Sequence, residues 1–239
     1  LATEDTGSRS VAVGYAALFQ QNYNGNAYNV AIGYQSAYSL TTGRFNALLG
    51  AGSGQDITTA LGNTGLGHRA MYENTEGNNN VAVGYRALYN MNPASNVDMY
   101  NTAVGYNSGY SITTGVQNTL IGGLAGDAIT TGADNVVIGY DAADVLLDGV
   151  QNTLVGDQVA GALTSGDENT YIGRRAASSA TTGNQNVAIG AGVSLSSATV
   201  SNEVNISNRS VIARFQGAAS SWSFVSDARD KKDIETIPY

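Results

Sequence analysis

The 239-residue chain carries 19 acidic and 11 basic side chains, a net charge of −8, with 30 glycines, 14 tyrosines, two prolines, one histidine and no cysteine. That acidity argues against nucleic acid or an anionic membrane as partner. Without cysteine there is no disulfide or thiolate, and one histidine makes no zinc set, so neither metal nor cofactor is expected.

Only 13% of residues are charged, no run of about 20 apolar residues could span a membrane, and the richness in Gly and Tyr suits tightly turned β structure. The chain begins at Leu1 with no signal-peptide pattern, which predicts a segment of a longer protein.

One unit recurs along the chain: an Asn, three residues of which the last is aliphatic, then a Gly, as in Asn29-Val30-Ala31-Ile32-Gly33. Its Gly falls at 14, 33, 50, 67, 84, 105, 122, 139, 156, 173 and 190, a 17-residue period with two insertions. A period of this length means a solenoid whose repeats bury their apolar faces only against their neighbours. The expected fold is an all-β parallel β-roll or β-helix of about twelve rungs over residues 1–207, roughly 53 Å long at about 4.8 Å per rung.

The column four residues before the Gly is Ser10, then Asn at every rung from Asn29 to Asn186, and can form a stacked amide ladder. Immediately before the Gly lies an aliphatic column from Val13 to Ile189, and two residues earlier a Val/Thr column. These alternate positions are expected to fill the coil. The position between them is apolar too, so it is expected to be a contact surface, with Leu48, Leu120, Val137, Leu154 and Tyr171 buried between subunits of a parallel homotrimer.

Three residues after the Gly the column is small, as at Ala17, Ser36 and Ala70. Seven residues after, it is Leu, Ile or Met, as at Leu40, Ile57 and Met91. A second short strand and a Thr-Thr-Gly-like turn follow, the turn Gly (Gly43, Gly115, Gly132 and their equivalents) being expected to supply positive φ.

Insertions of two residues near Tyr23-Asn24-Gly25-Asn26 and four within 91–100 should project as loops, making Tyr23, Tyr28, Tyr100 and Asp98 the candidate receptor contacts. A post-Gly column of Tyr15, Tyr34, Tyr85, Tyr106 and Tyr140, which includes His68, is expected chiefly to stack on itself. Gly50-Ala51-Gly52-Ser53-Gly54 lacks the Lys and helix of a phosphate loop.

Asp141, Asp144, Asp148 and Asp157 stand in adjoining rungs, as a polysaccharide depolymerase would need, with no Arg or aromatic cluster evident beside them. Ile206 lies in phase and marks a capping rung. Residues 208–225 are a transition segment, and residues 226–239 are charge-dense.

The Asn-Val-Ala-Ile-Gly rungs, over residues 10–207, resemble the head repeats of trimeric autotransporter adhesins. The resemblance implies a left-handed parallel β-roll that trimerises side by side, although those heads commonly use shorter coils. The stretch from Trp222 to Ile234 resembles the start of the endosialidase-type intramolecular chaperone found at the ends of phage tail fibres and tailspikes.

That family assembles a trimer and cuts itself off. By position this implies Ser226 as nucleophile, Lys231 as its base and cleavage before Asp227, although Asp230 stands where the family usually has an apolar residue. No other catalytic role is expected. Together the resemblances imply a homotrimeric tail-fibre segment of a virion, outside the cell, joined upstream to other tail or fibre proteins and binding a host surface glycan or protein. A bacterial trimeric surface adhesin is the alternative, and a downstream membrane anchor rather than a chaperone domain would select it.

Overall fold

The computed structural model describes residues 9–207, 212–216 and 223–225. The chain order is β1 (Val11–Val13), β2 (Val30–Ile32), β3 (Ala47–Leu49), β4 (Thr64–Leu66), β5 (Gly77–Asn78), β6 (Val81–Val83), β7 (Val97–Asp98), β8 (Thr102–Val104), β9 (Thr119–Ile121), β10 (Val136–Ile138), β11 (Thr153–Val155), β12 (Thr170–Ile172), β13 (Val187–Ile189), β14 (Glu203–Ser207), β15 (Ile212–Gln216) and β16 (Ser223–Val225). Among the described residues there is no helix.

Apart from β5 and β7, which pair with each other, all strands form one 14-stranded sheet. From β1 to β14 every pairing in that sheet is parallel and in register, column on column, giving a parallel β-solenoid of about twelve turns. Both insertions leave the register intact, since Val11 pairs with Val30 and Val81 with Thr102. Ile206 pairs with Ile189, completing the last turn. The direction then reverses, β15 and β16 each adding antiparallel.

The Asn column builds the spine. From Asn46 to Asn186 each Asn donates its backbone N–H to the side-chain oxygen of the Asn one rung before, at 2.9–3.2 Å. The amide NH2 meanwhile reaches a turn carbonyl, as Asn118 does to Gly132 (2.8 Å) and Asn152 to Gly166 (2.7 Å). These asparagines are fully buried and satisfied, as a water-excluded amide must be. Glu203 closes the ladder, donating its N–H to Asn186 (2.9 Å) and accepting from the N–H and hydroxyl of Ser196.

The strand faces are the reverse of the expectation. Leu48, Leu120, Val137, Leu154 and Tyr171, expected between subunits, are 0–1% exposed inside the single coil. The flanking columns point outward: Val13 is 55% exposed, Ile121 39% and Ile172 39%.

The physical reason is reciprocal volume. The middle strand residue packs against the residue six positions later in the same rung, so a large side chain in one faces a small one in the other. Leu48 faces Gly54, Gly65 faces Met71, and Leu120 faces Gly126. A Cβ at Gly54 would lie 2.8 Å from Leu48 Cδ1, and one at Gly126 3.0 Å from Leu120 Cδ2. A thin coil has room for only one large side chain at this level. Leu40, Ile57, Met91, Ile112, Ile129, Leu146 and Leu163 form the far wall, all fully buried.

Two further expectations are corrected. Each rung has one strand rather than two, β5 and β7 being the exception. Elsewhere the second limb turns through alternate left-handed residues such as Gln35 and Ala37 (φ 52° each), pinned by N–H bonds to neighbouring rungs at 2.8 and 3.0 Å. Such residues cost about 1–2 kcal/mol each and persist only where surrounding bonds over-determine them.

The turn glycines, moreover, do not have positive φ. Space requires them: a Cβ at Gly132 would stand 2.7 Å from the Gly149 carbonyl oxygen.

Candidate functional site

Tyr28 and Tyr100 do not stand in the inserted loops. Both occupy a regular column five residues before the strand Gly, left-handed at every rung, with φ 53° at each of them and 61° at Phe45. The chain must bend there to aim the next residue, Asn29 or Asn101, into the buried ladder. That bend throws the Tyr ring outward, and Tyr28 is 43% exposed and Tyr100 55%.

Tyr23 does belong to the two-residue insertion, and the structure joins it to Tyr28 through residues that sequence reasoning passed over. Tyr28 stacks on Phe45 with centroids 5.8 Å apart and planes 12° apart. The Arg44 guanidinium lies 5.0 Å above the Tyr23 ring and 5.7 Å from that of Phe45, and donates to Tyr23 Oη at 2.9 Å. Arg9 donates to Tyr28 Oη at 3.0 Å. The result is an exposed aromatic patch edged by two cations. The missed signal was Phe45, in column with Tyr28 and beside an Arg.

Tyr100 shares that corner of the coil four rungs along, about 19 Å away. Its hydroxyl donates to Asp98 Oδ2 at 3.0 Å, and this hydrogen bond raises the phenol pKa above its ordinary value. Asn79 donates to the other Asp98 oxygen at 2.8 Å. Tyr100 and Asp98 therefore form a second, acidic cluster, not one site with Tyr23 and Tyr28. Residues 91–99 are tied down by the buried Met91 and Met99 and by Thr75 and Thr59, which donate to Asn92 at 2.7 Å and Asn96 at 3.1 Å.

On the opposite edge of the strands, the post-Gly aromatics stack in ladders. Tyr15 meets Tyr34 at 5.3 Å, and His68, Tyr85 and Tyr106 continue at 5.4 Å intervals. Beside them runs a second ladder, of Phe19 on Tyr38 and of Tyr72, Tyr89 and Tyr110, each step 5.2 Å.

Beyond Tyr110 this second column turns acidic. Burial, with the charges of Asp144 and Asp141 adding to it, pushes Asp127 up to about 6, and burial likewise raises Asp144. An open cleft of about 350 Å³ here is lined by Asp141, Asp144, Gln158, Gly161, Arg175 and Ser178. So an arginine does accompany these acids, contrary to the sequence expectation. Arg175 is nevertheless spent on structure, donating to Gln158 at 2.8 Å, while Gln158 donates to Asp141 at 3.3 Å.

Asp157 pairs with Arg174 at 3.4 Å, both exposed. Among the described residues no group of three or more His, Cys, Asp or Glu is placed to hold a metal ion, and no helix is long and apolar enough to cross a membrane. Ser226, Asp227 and Lys231 lie outside the described residues. No protein-family model, curated protein or solved structure matches the chain.

Proposed function

We propose that this chain is the elongated, receptor-binding part of a homotrimeric phage tail fibre, carried on the virion and meeting a host surface glycan or protein. The observation that carries the reading is the outward face of the parallel sheet. Val13, Ile32, Leu66, Ile121, Ile172 and Ile206 stand exposed in one column, with half-buried aliphatics such as Leu49, Val83 and Ile138 between them. Three residues wide and about eleven spacings long, the face covers roughly 500 Å² in projection; the aliphatic column makes up its apolar stripe, and the Val/Thr column beside it carries Thr at five of twelve positions.

Further copies of the same chain are the occupant this face fits. Its columns repeat at every rung, so a parallel neighbour meets it with the same spacing along the whole rod, and the apolar area grows with length where a smaller partner would cover only part. Trimerisation therefore uses the outward Val/Thr and aliphatic columns and not the middle column. The aromatic corner around Tyr23, Tyr28, Phe45 and Arg44, with Tyr100 and Asp98 further along, is the receptor-facing surface. Exposed Tyr with Arg offers large contact area at little entropic cost.

The Ser226, Lys231 pattern assigns C-terminal maturation to the same protein, with release of a fragment beginning at Asp227. Light scattering coupled to size exclusion tests the assembly. The wild-type chain should elute at three chain masses, and Ile121→Asp combined with Ile172→Asp should give a monomer with unchanged circular dichroism. A wild-type monomer, or a trimeric double variant, would remove the proposal.

A further inference from the structure

The two aromatic ladders are interrupted at the same rung. Between Tyr34 and His68 the post-Gly position is Ala51, and between Tyr38 and Tyr72 the second column has Gln55. Gly52 lies between them, buried, where the neighbouring rungs carry Gln35 and Arg69. The coincidence leaves a notch of about 230 Å³ lined by Tyr34, Gln35, Gln55, His68, Arg69 and Tyr72 over a floor of Ala51 and Gly52.

Its dimensions follow from the rung spacing. Tyr34 and His68 are two rungs apart, about 10 Å. A six-membered ring centred at mid-height, flat or a chair presenting its C–H groups, would sit about 5 Å from each face, the separation that Tyr15 and Tyr34 (5.3 Å) and His68 and Tyr85 (5.4 Å) already keep within the ladder. The notch thus has the shape of one missing ladder ring. Gly52 is required beneath it: a Cβ there would come within 3.2 Å of the Tyr72 ring and 3.4 Å of Arg69 Cγ, the two side chains that close over its backbone and form the notch wall.

The polar groups around the vacancy point to what fills it. Gln55 donates to Tyr72 Oη at 2.8 Å, which orients its amide at the notch wall. Arg69 lies 5.2 Å above Tyr72 and is in no ion pair among the described residues. Its guanidinium fork is free to take a carboxylate in two parallel hydrogen bonds. Amides and phenols beside it suit vicinal hydroxyls.

We infer that the notch at Ala51, Gly52 and Gln55 is a binding subsite for a carboxylate-bearing pyranose, such as a uronic or sialic acid unit of a surface polysaccharide. The ring is sandwiched by Tyr34 and His68, and the carboxylate is held by Arg69. All of these residues belong to one coil, so the inference does not depend on the trimer or on the aromatic corner across the strands.

The test fills the gap. Ala51 has no left-handed backbone and shares a column with Tyr34 and Tyr85, so Ala51→Tyr completes the ladder without strain. Binding of tetragalacturonate and of tetrameric α2,8-sialic acid is measured by saturation-transfer NMR and thermophoresis, with maltotetraose and an octathymidylate as comparators.

Wild type should bind at least one acidic oligosaccharide saturably and at least about tenfold more tightly than maltotetraose. Ala51→Tyr should weaken that binding roughly tenfold or more, through loss of both stacking faces, with a melting temperature equal to or above wild type. Arg69→Gln should remove the preference for acid over neutral sugar. Saturable binding of neither acidic oligosaccharide, unchanged binding by Ala51→Tyr, or tighter binding of the oligonucleotide would overturn the inference.

Discussion

Replacing Asn135 by Ala removes one rung of the buried amide ladder and leaves its neighbours unsatisfied. Asn135 Nδ2 donates to Asn118 Oδ1 at 3.0 Å and to the Gly149 carbonyl at 2.7 Å, and its Oδ1 accepts from the Asn152 backbone N–H at 3.0 Å and side-chain amide at 3.1 Å. The variant strips the Asn152 N–H of its acceptor and the Gly149 carbonyl of this donor. Both lie where water does not reach, since the flanking asparagines are fully buried.

At about 1–3 kcal/mol for each orphaned buried group, the cost is roughly 2–6 kcal/mol. That is a large part of the stability of an ordinary domain. The assay is urea unfolding followed by circular dichroism at fixed chain concentration, because association adds to apparent stability. Thr114→Ala, on an exposed turn two rungs earlier, is the comparator and should stay within about 0.5 kcal/mol. A loss below about 0.5 kcal/mol for Asn135→Ala would refute the reasoning that the ladder is the spine of the coil.

Tyr171 is buried, its hydroxyl reaches the Asn186 amide without making a well-formed hydrogen bond, and desolvation pushes its pKa up to about 12, the Asn186 contact opposing the shift. Tyr171→Phe should therefore raise the melting midpoint, by about 1 kcal/mol of stability; a loss would mean that the hydroxyl has a structural partner. For Asp127 the folded pKa of about 6 lies above the ordinary aspartate value of 3.8, so the folded state holds the proton more tightly and stability falls as pH rises through that window. Asp127→Asn should consequently stabilise at pH 8, by about 1 kcal/mol after solvent screening is discounted, with no gain below about pH 4; the opposite pH dependence in thermal melts would contradict it.

Much of this architecture was legible because the period is fixed and each column keeps one chemical type. The Asn ladder, the small column at Ala17, Ser36 and Ala70, and the far wall from Leu40 to Leu163 all followed from alignment of the rungs. The facing of the strand was only partly legible from alternation: Val136, Val137 and Ile138 are apolar in all three positions, and only Thr64, Thr102, Thr119, Thr153 and Thr170 in the first position mark that column as outward.

The signal that would have decided it lies six residues further on. Leu48 with Gly54, Gly65 with Met71, and Leu120 with Gly126 trade volume in pairs, which only residues in contact inside one coil need do. The aromatic corner was half legible. Tyr28 and Tyr100 stood out as tyrosines assigned to the insertions, but their column is defined by a left-handed backbone that Gln117, Asp134 and Glu168 also adopt without any shared side-chain type.

Leu120 and Ile121 are adjacent on β9 and point to opposite sides of it, Leu120 fully buried in the coil and Ile121 39% exposed on the outer face. Because the chain has no cysteine, each can carry the only thiol in the molecule. Treatment of the two single-cysteine variants with a short bis-maleimide, read by denaturing electrophoresis, tests the central proposal that copies associate in register through the outward Val/Thr and aliphatic columns. Ile121→Cys should cross-link chain to chain and Leu120→Cys should stay single. Cross-linking through residue 120 with none through residue 121 would contradict it.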